Sequence, residues 1–265
     1  MGKMSYRILL LLLCLFSHSV HAQTPRDQWN PNPDEREQVS EEVPHRYACY
    51  ISFKRGWSSA RGSGFLIHPR LVLTAGHNQA FYPASKYFPW LLSYVTQAEL
   101  YFGSTDTESY IVSEHVRLRR GKRKFHKNVY WLKGSIDRDY SLIVLPDSSV
   151  YEAVGGYFKI APVGESELAG KTLHITGSPG DKPSGELWTS SAHNHEQNAQ
   201  SLYYDIYTKG GNSGSVIWTK EGNAYRAVGI HSRKFNDQYN GALLINQEVY
   251  DQIKAWAAEA GIELD

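Results

Sequence analysis

Three short stretches carry residues that could do chemistry together. Leu73-Thr74-Ala75-Gly76-His77 is a β-rich run ending in two small residues and a histidine, which sets an imidazole at the rim of a sheet. Asp139 stands directly before the apolar run Tyr140-Ser141-Leu142-Ile143-Val144-Leu145, where a strand would hold a carboxylate partly buried. In Gly210-Gly211-Asn212-Ser213-Gly214-Ser215, glycines around a serine let the backbone turn sharply and bring its N–H groups close to a carbonyl. Each pattern alone is ordinary, since a histidine at a strand end is usually a satisfied polar residue. Together they supply a mechanism. A serine hydroxyl is a poor nucleophile until a base within hydrogen-bond reach takes its proton, and an imidazole base needs a carboxylate to fix its tautomer. Ser213 would be the nucleophile, His77 the base and Asp139 its orienting acid. The N–H groups of Gly211 and Ser213 would receive the oxyanion of a tetrahedral intermediate. The order His, Asp, Ser is not the Ser, Asp, His order of α/β-hydrolases, and Ser215 stands where their nucleophile elbow needs glycine.

The elements that must position these groups read as an all-β domain. Short β-rich runs at 47–53, 64–67, 71–74, 111–118, 141–145, 172–176, 215–218, 227–231 and 242–245 are punctuated by Gly, Pro and Asn. Many short strands without regularly alternating long helices argue for a barrel or sandwich rather than a βαβ sheet. One helix is expected, over 246–261. Asn246 can cap it, Val249, Ile253, Trp256 and Ala260 share one face, and Gly261 can stop it. Residues 79–97 read as a short helix or an aromatic loop.

Bulk properties bound the destination. A chain of 265 residues with 41% hydrophobic and 21% charged residues can bury one large β domain or two small ones. Lys3 and Arg7, the apolar run 8–16 and Val20-His21-Ala22 have the build of a secretory signal over 1–22, so export to the periplasm or the cell exterior is expected. Residues 23–44, rich in Pro, Asn and acids, read as a linker or pro-segment, and the domain as 45–265. The first barrel is expected over about 45–150 and the second over about 151–245. Losing 1–22 removes two of 28 basic residues and none of 27 acids, leaving a net charge of −1. That balance, with no base-reading motif, argues against nucleic acid as a partner, and the basic run at 117–127 reads as an exposed hairpin. No membrane association after signal removal is expected, nor any metal or other cofactor, and the protein should be a monomer acting on polypeptide. Cys14 leaves with the signal, so Cys49 stands alone as a small buried hydrophobe.

The chain resembles the trypsin-like serine peptidases, and within them the bacterial glutamyl endopeptidases. The resemblance covers roughly 45–262. It is strongest in Thr176-Gly177-Ser178-Pro179-Gly180-Asp181-Lys182-Pro183, Tyr204-Asp205, Gly210-Gly211-Asn212-Ser213-Gly214-Ser215, Val228-Gly229-Ile230-His231 and Asn240-Gly241-Ala242, with a looser match at Gly62-Ser63-Gly64-Phe65. It implies two packed antiparallel six-stranded β-barrels, an active site in the cleft between them and cleavage after glutamate, then aspartate. By the same resemblance His231 and Thr208 would meet the substrate carboxylate, together with a freed N-terminal amine. Such an amine would follow from trimming near Glu41-Glu42-Val43. Asn212 replaces the aspartate with which animal relatives bind a new N-terminus. A peptidase of the same fold with a different or narrow specificity, and a non-catalytic secreted binding module, remain the alternatives.

Overall fold

The computed structural model describes residues 34–55, 58–81, 93–118, 123–125, 138–193 and 195–264. The expected signal at 1–22, the first part of the expected linker, most of the aromatic stretch at 79–97 and much of the basic run at 117–127 lie outside the described residues. The strands run in chain order β1 (Glu37–Val39), β2 (Ala48–Arg55), β3 (Ser58–His68), β4 (Leu71–Thr74), β5 (Ala80–Phe81), β6 (Ser93–Tyr94), β7 (Gln97–Phe102), β8 (Val112–Arg117) and β9 (Arg123–Phe125). They continue with β10 (Ser141–Val144), β11 (Lys159–Ile160), β12 (His174–Gly177), β13 (Leu187–Ser191), β14 (His195–Gln197), β15 (Ser201–Tyr204), β16 (Val216–Glu221), β17 (Ala224–Lys234) and β18 (Asn240–Leu244). The helices are α1 (Gly76–Gln79), α2 (Ser149–Val154) and α3 (Gln247–Glu259).

Two sheets hold the fold. A seven-stranded one has the order β8-β7-β2-β3-β4-β10-β9. A nine-stranded one has the order β1-β13-β12-β16-β17-β18-β15-β14, with β11 added alongside β17. Without the short strands β9 in the first and β1, β11 and β14 in the second, six remain in each, the number expected for a double barrel. Strands β4 and β10 are buried along their whole length, which is why Leu71-Val72-Leu73 and Leu142-Ile143-Val144 read as unbroken apolar runs instead of alternating ones.

The stretch expected to be a linker or pro-segment, 23–44, contains a strand. Strand β1 pairs antiparallel with β13, Val39 opposite Leu187, so this segment belongs to the second sheet. Three residues of mixed polarity give too little pattern to show as a strand in the sequence.

Helix α3 is capped as expected, Asn246 Oδ1 accepting from the Val249 N–H at 3.0 Å. It buries Val249, Ile253, Trp256 and Ala257. Trp256 lies 5.3 Å from the ring of Tyr140, the residue after Asp139, so the helix braces the start of β10. Among the described residues no helix is long and apolar enough to cross a membrane. Cys49 is fully buried, and burial pushes its thiol well above the usual range.

Candidate active site

Register brings the base and the acid together. Strands β4 and β10 pair antiparallel with Thr74 opposite Ser141, so the residues just after β4 must lie beside those just before β10. His77 is the second residue of α1, just beyond β4, and Asp139 stands two residues ahead of β10. His77 Nδ1 lies 2.7 Å from Asp139 Oδ2, and the His77 backbone N–H donates to Oδ1 at 2.9 Å. With Nδ1 donating to the carboxylate, Nε2 keeps its lone pair and is free to act as a base.

Asp139 is buried and also accepts from the hydroxyl of Ser232. Burial works against its charge, but the His77 imidazole and the hydrogen bonds from His77 and Ser232 outweigh it and hold the carboxyl well below the usual carboxylate range. The acid is therefore ionised at any working pH. Ser232 has no counterpart in the sequence reading. A bulge in the β17–β18 pairing between His231 and Arg233 frees it from the regular ladder, and a bulge cannot be read from one polar residue in a strand.

The serine arrives from the second sheet on the turn before β16. Its carbonyl accepts from the Ser63 N–H at 2.9 Å and from Asn78 Nδ2 at 2.8 Å, which ties the turn to β3 and to the neighbour of His77. Ser63, fully buried, adds a second tie. Its hydroxyl donates to the Gly211 carbonyl at 3.0 Å and accepts from the Ser178 N–H at 2.8 Å. Gly214 has φ +88, and a Cβ there would lie 2.9 Å from Ala75 N, so only glycine lets the turn approach β4 this closely.

Two N–H groups of the turn stand apart from its own backbone bonds. Asn212 N–H donates to Lys209 O at 3.1 Å, Gly214 N–H to His231 O at 2.8 Å and Ser215 N–H to Asn212 O at 2.8 Å. Among the described residues the N–H groups of Gly211 and Ser213 donate to no other backbone group. Gly211 holds φ +103, outside the range that suits a side chain. No hydrogen bond joins Ser213 Oγ to His77 among the described residues; in free enzymes this contact is commonly long and tightens when substrate binds.

His231 is buried, and its Nδ1 lies 2.5 Å from the hydroxyl of Tyr204. Burial pulls its pKa down to about 3, His77 pushes the same way and Asp139 opposes, so the ring is neutral. Burial also pushes the Tyr204 phenol well above its usual range, so it keeps its proton, and because no other acceptor is paired with that hydroxyl among the described residues, we assign it as the donor to Nδ1. Nε2 then carries the imidazole hydrogen and is the ring's remaining donor. Tyr204 belongs to the apolar cluster inside the second sheet, with Leu202, Ile206, Val228 and Leu244, and nothing in the sequence ties it to His231. Thr208 lies half-buried on the loop between β15 and β16.

The geometry defines a double-barrel fold of the trypsin-like serine peptidase class, and solved structures agree. No family model matches the chain. A Glu endopeptidase structure aligns with TM-score 0.68 and 26% identity, covering 86% of this chain and 98% of that one. The protease Anisep from Arthrobacter nicotinovorans aligns with TM-score 0.63 at 14% identity, over 84% of this chain and all of that one, a likeness of fold alone. Glutamyl endopeptidase of Staphylococcus aureus strain MRSA252 is 34% identical over 84 residues, 32% of this chain. That match spans 23% of the relative's length. The chain is thus a trypsin-like serine peptidase relative, related to glutamyl endopeptidase.

Proposed function

We propose that the protein is a secreted serine endopeptidase that cleaves after glutamate, and less readily after aspartate, through an acyl-enzyme. The observation that carries this reading is the buried, ionised Asp139 gripping His77 through both its ring and its backbone, beside a serine turn in which two N–H groups donate to no backbone carbonyl among the described residues. Ser213 Oγ attacks the scissile carbonyl while His77 Nε2 takes its proton, and Asp139 steadies the imidazolium that results. The N–H groups of Gly211 and Ser213 receive the oxyanion. His77 then returns the proton to the leaving amine, the acyl group stays on Ser213, and water activated by the same imidazole releases it.

The acid preference rests on His231 and Thr208. With Tyr204 donating to Nδ1, the proton on His231 sits at Nε2, so the ring meets a carboxylate as a neutral N–H donor and not as a cation. A buried carboxylate is costly unless such donors receive it. Export by a signal over 1–22 belongs to the same proposal.

Cleavage-site profiling of the purified protein on a peptide library tests the reading. Cuts concentrated after glutamate are expected. Efficient cleavage with no acidic preference would leave the peptidase and remove the specificity, and no cleavage at all would favour the binding-module alternative.

A further inference from the structure

The segment ahead of the domain does more than extend a sheet. Arg36 lies beside β1 with its side chain 2% exposed, and it is held by two carboxylates at once. Nε and Nη2 donate to Asp34 at 2.7 Å each. Nη1 and Nη2 donate to Asp181 at 2.9 and 2.7 Å. Its guanidinium also stands 4.6 Å from the centre of the Tyr207 ring. Such a planar fork, satisfied on two edges and stacked on a face, is a rigid connector that a lysine could not reproduce.

What Arg36 connects lies on both sides of the serine turn. Asp181 follows Gly180, whose N–H donates to the Gly210 carbonyl at 2.5 Å. A Cβ on Gly211 would lie 2.7 Å from the Ser178 carbonyl and 2.8 Å from Gly180 N, so the two loops are packed against each other at the candidate oxyanion donor. Tyr207 leads through Thr208 and Lys209 into the same turn. From the first sheet, Arg61 holds the other side of this loop, donating to the carbonyl of Gly180 and to Ser184 Oγ at 3.3 Å. Asn212, where animal relatives use an aspartate, is engaged within its own turn, with its N–H on Lys209 O at 3.1 Å.

We propose that Arg36 is a positioning residue for the peptidase reaction proposed above: by gripping Asp181 and Tyr207 together it holds the 178–182 and 207–211 loops in the arrangement that aims the Gly211 and Ser213 N–H groups, so the working enzyme retains residues 34–39. This inference rests on that functional reading. It also reverses the expectation of an activating cut near Glu41-Glu42-Val43. A cut there would sever β1 and Arg36 from the domain, and Glu42 is itself built into the fold, its carbonyl accepting from the Arg46 N–H at 3.0 Å.

The test uses the full mature chain with Arg36→Ala, Arg36→Lys and Asp181→Asn, read by kcat and KM on a glutamyl peptide and by hydrogen exchange of the Gly180 amide. A misplaced oxyanion donor predicts that Arg36→Ala lowers kcat about 100-fold while KM moves much less. Arg36→Lys should fall between it and the parent protein. Protection of the Gly180 amide should drop in Arg36→Ala and in Asp181→Asn. Loss of kcat with unchanged Gly180 protection overturns the proposal, as does an Arg36→Lys or Asp181→Asn variant that is folded and indistinguishable from the parent in both readouts. If the parent protein cleaves no peptide, the functional reading fails, yet the exchange measurement still decides whether Arg36 holds the loop.

Discussion

The two halves of the candidate site are built in different ways. The first sheet supplies the proposed base and acid from the adjoining ends of two paired strands, so the register of β4 on β10 brings them side by side, and Ser232 from the second sheet adds one hydrogen bond to the acid. The second sheet supplies the proposed nucleophile, oxyanion donors and acid-binding groups from loops and a bulged strand, held by ties to Ser63, Asn78, Tyr204 and Arg36. A proton relay needs one fixed geometry, and strand pairing provides it cheaply. A pocket that selects among side chains can vary if its parts sit on loops over a rigid frame.

The comparison predicts that damage to the first half destroys turnover whatever the substrate, whereas damage to the second half can alter selection alone. Asp139→Asn should show the largest effect. It removes the acceptor for the His77 ring N–H and favours the wrong tautomer, so kcat on every peptide should fall about 10,000-fold with the fold intact. Steady-state kinetics on a glutamyl and a non-acidic peptide check this, and a loss confined to the glutamyl peptide would break the division between the halves.

Tyr204→Phe should act on selection instead. Without the phenol nothing fixes the hydrogen of His231 at Nε2, and preference for glutamate over glutamine at the cleaved position should fall about tenfold. Reactivity toward a small serine-directed probe should stay near that of the parent. Equal losses in both assays would make the Tyr204–His231 pair a structural support.

The smallest effect concerns stability. The pKa of His231 is about 3 in the folded protein, below that of the unfolded chain, so the unfolded state binds the extra proton first as pH falls. Its contribution to stability is therefore intact above the unfolded histidine pKa, about 6.5, and is lost progressively toward pH 3. Asp139, whose pKa is lowered, begins to lose its contribution only below the unfolded carboxylate pKa, about 3.9. His45 and His174, whose pKa values burial also lowers, titrate in the same window, so urea unfolding at pH 7 and pH 4.5 is compared between variant and parent: His231→Gln should lose less stability between the two. An equal loss would mean that His231 does not titrate as its burial dictates.

Much of this was legible in the sequence because the deciding features are local. An apolar run ending at His77, another beginning after Asp139 and a glycine-rich turn around Ser213 each announce a place in the fold. Helix α3 announced itself by its period and its cap. The missing parts depend on contacts between distant residues. Ser232 looks like one polar residue in a strand until a bulge aims it at Asp139, and Tyr204 looks like core until its hydroxyl reaches His231. Arg36 sits in a stretch whose charge and prolines resemble a linker. Its partner Asp181 is 145 positions away.

In the proposed reaction, His77 and Asp139 make Ser213 nucleophilic. Treating the protein with an organophosphonate serine probe and mapping the adduct by peptide mass spectrometry tests it directly. A single stoichiometric adduct on Ser213 is expected, absent in Ser213→Ala and formed far more slowly in Asp139→Asn. An adduct on another residue, or labelling of Ser213 at an equal rate when Asp139 is replaced, would contradict it.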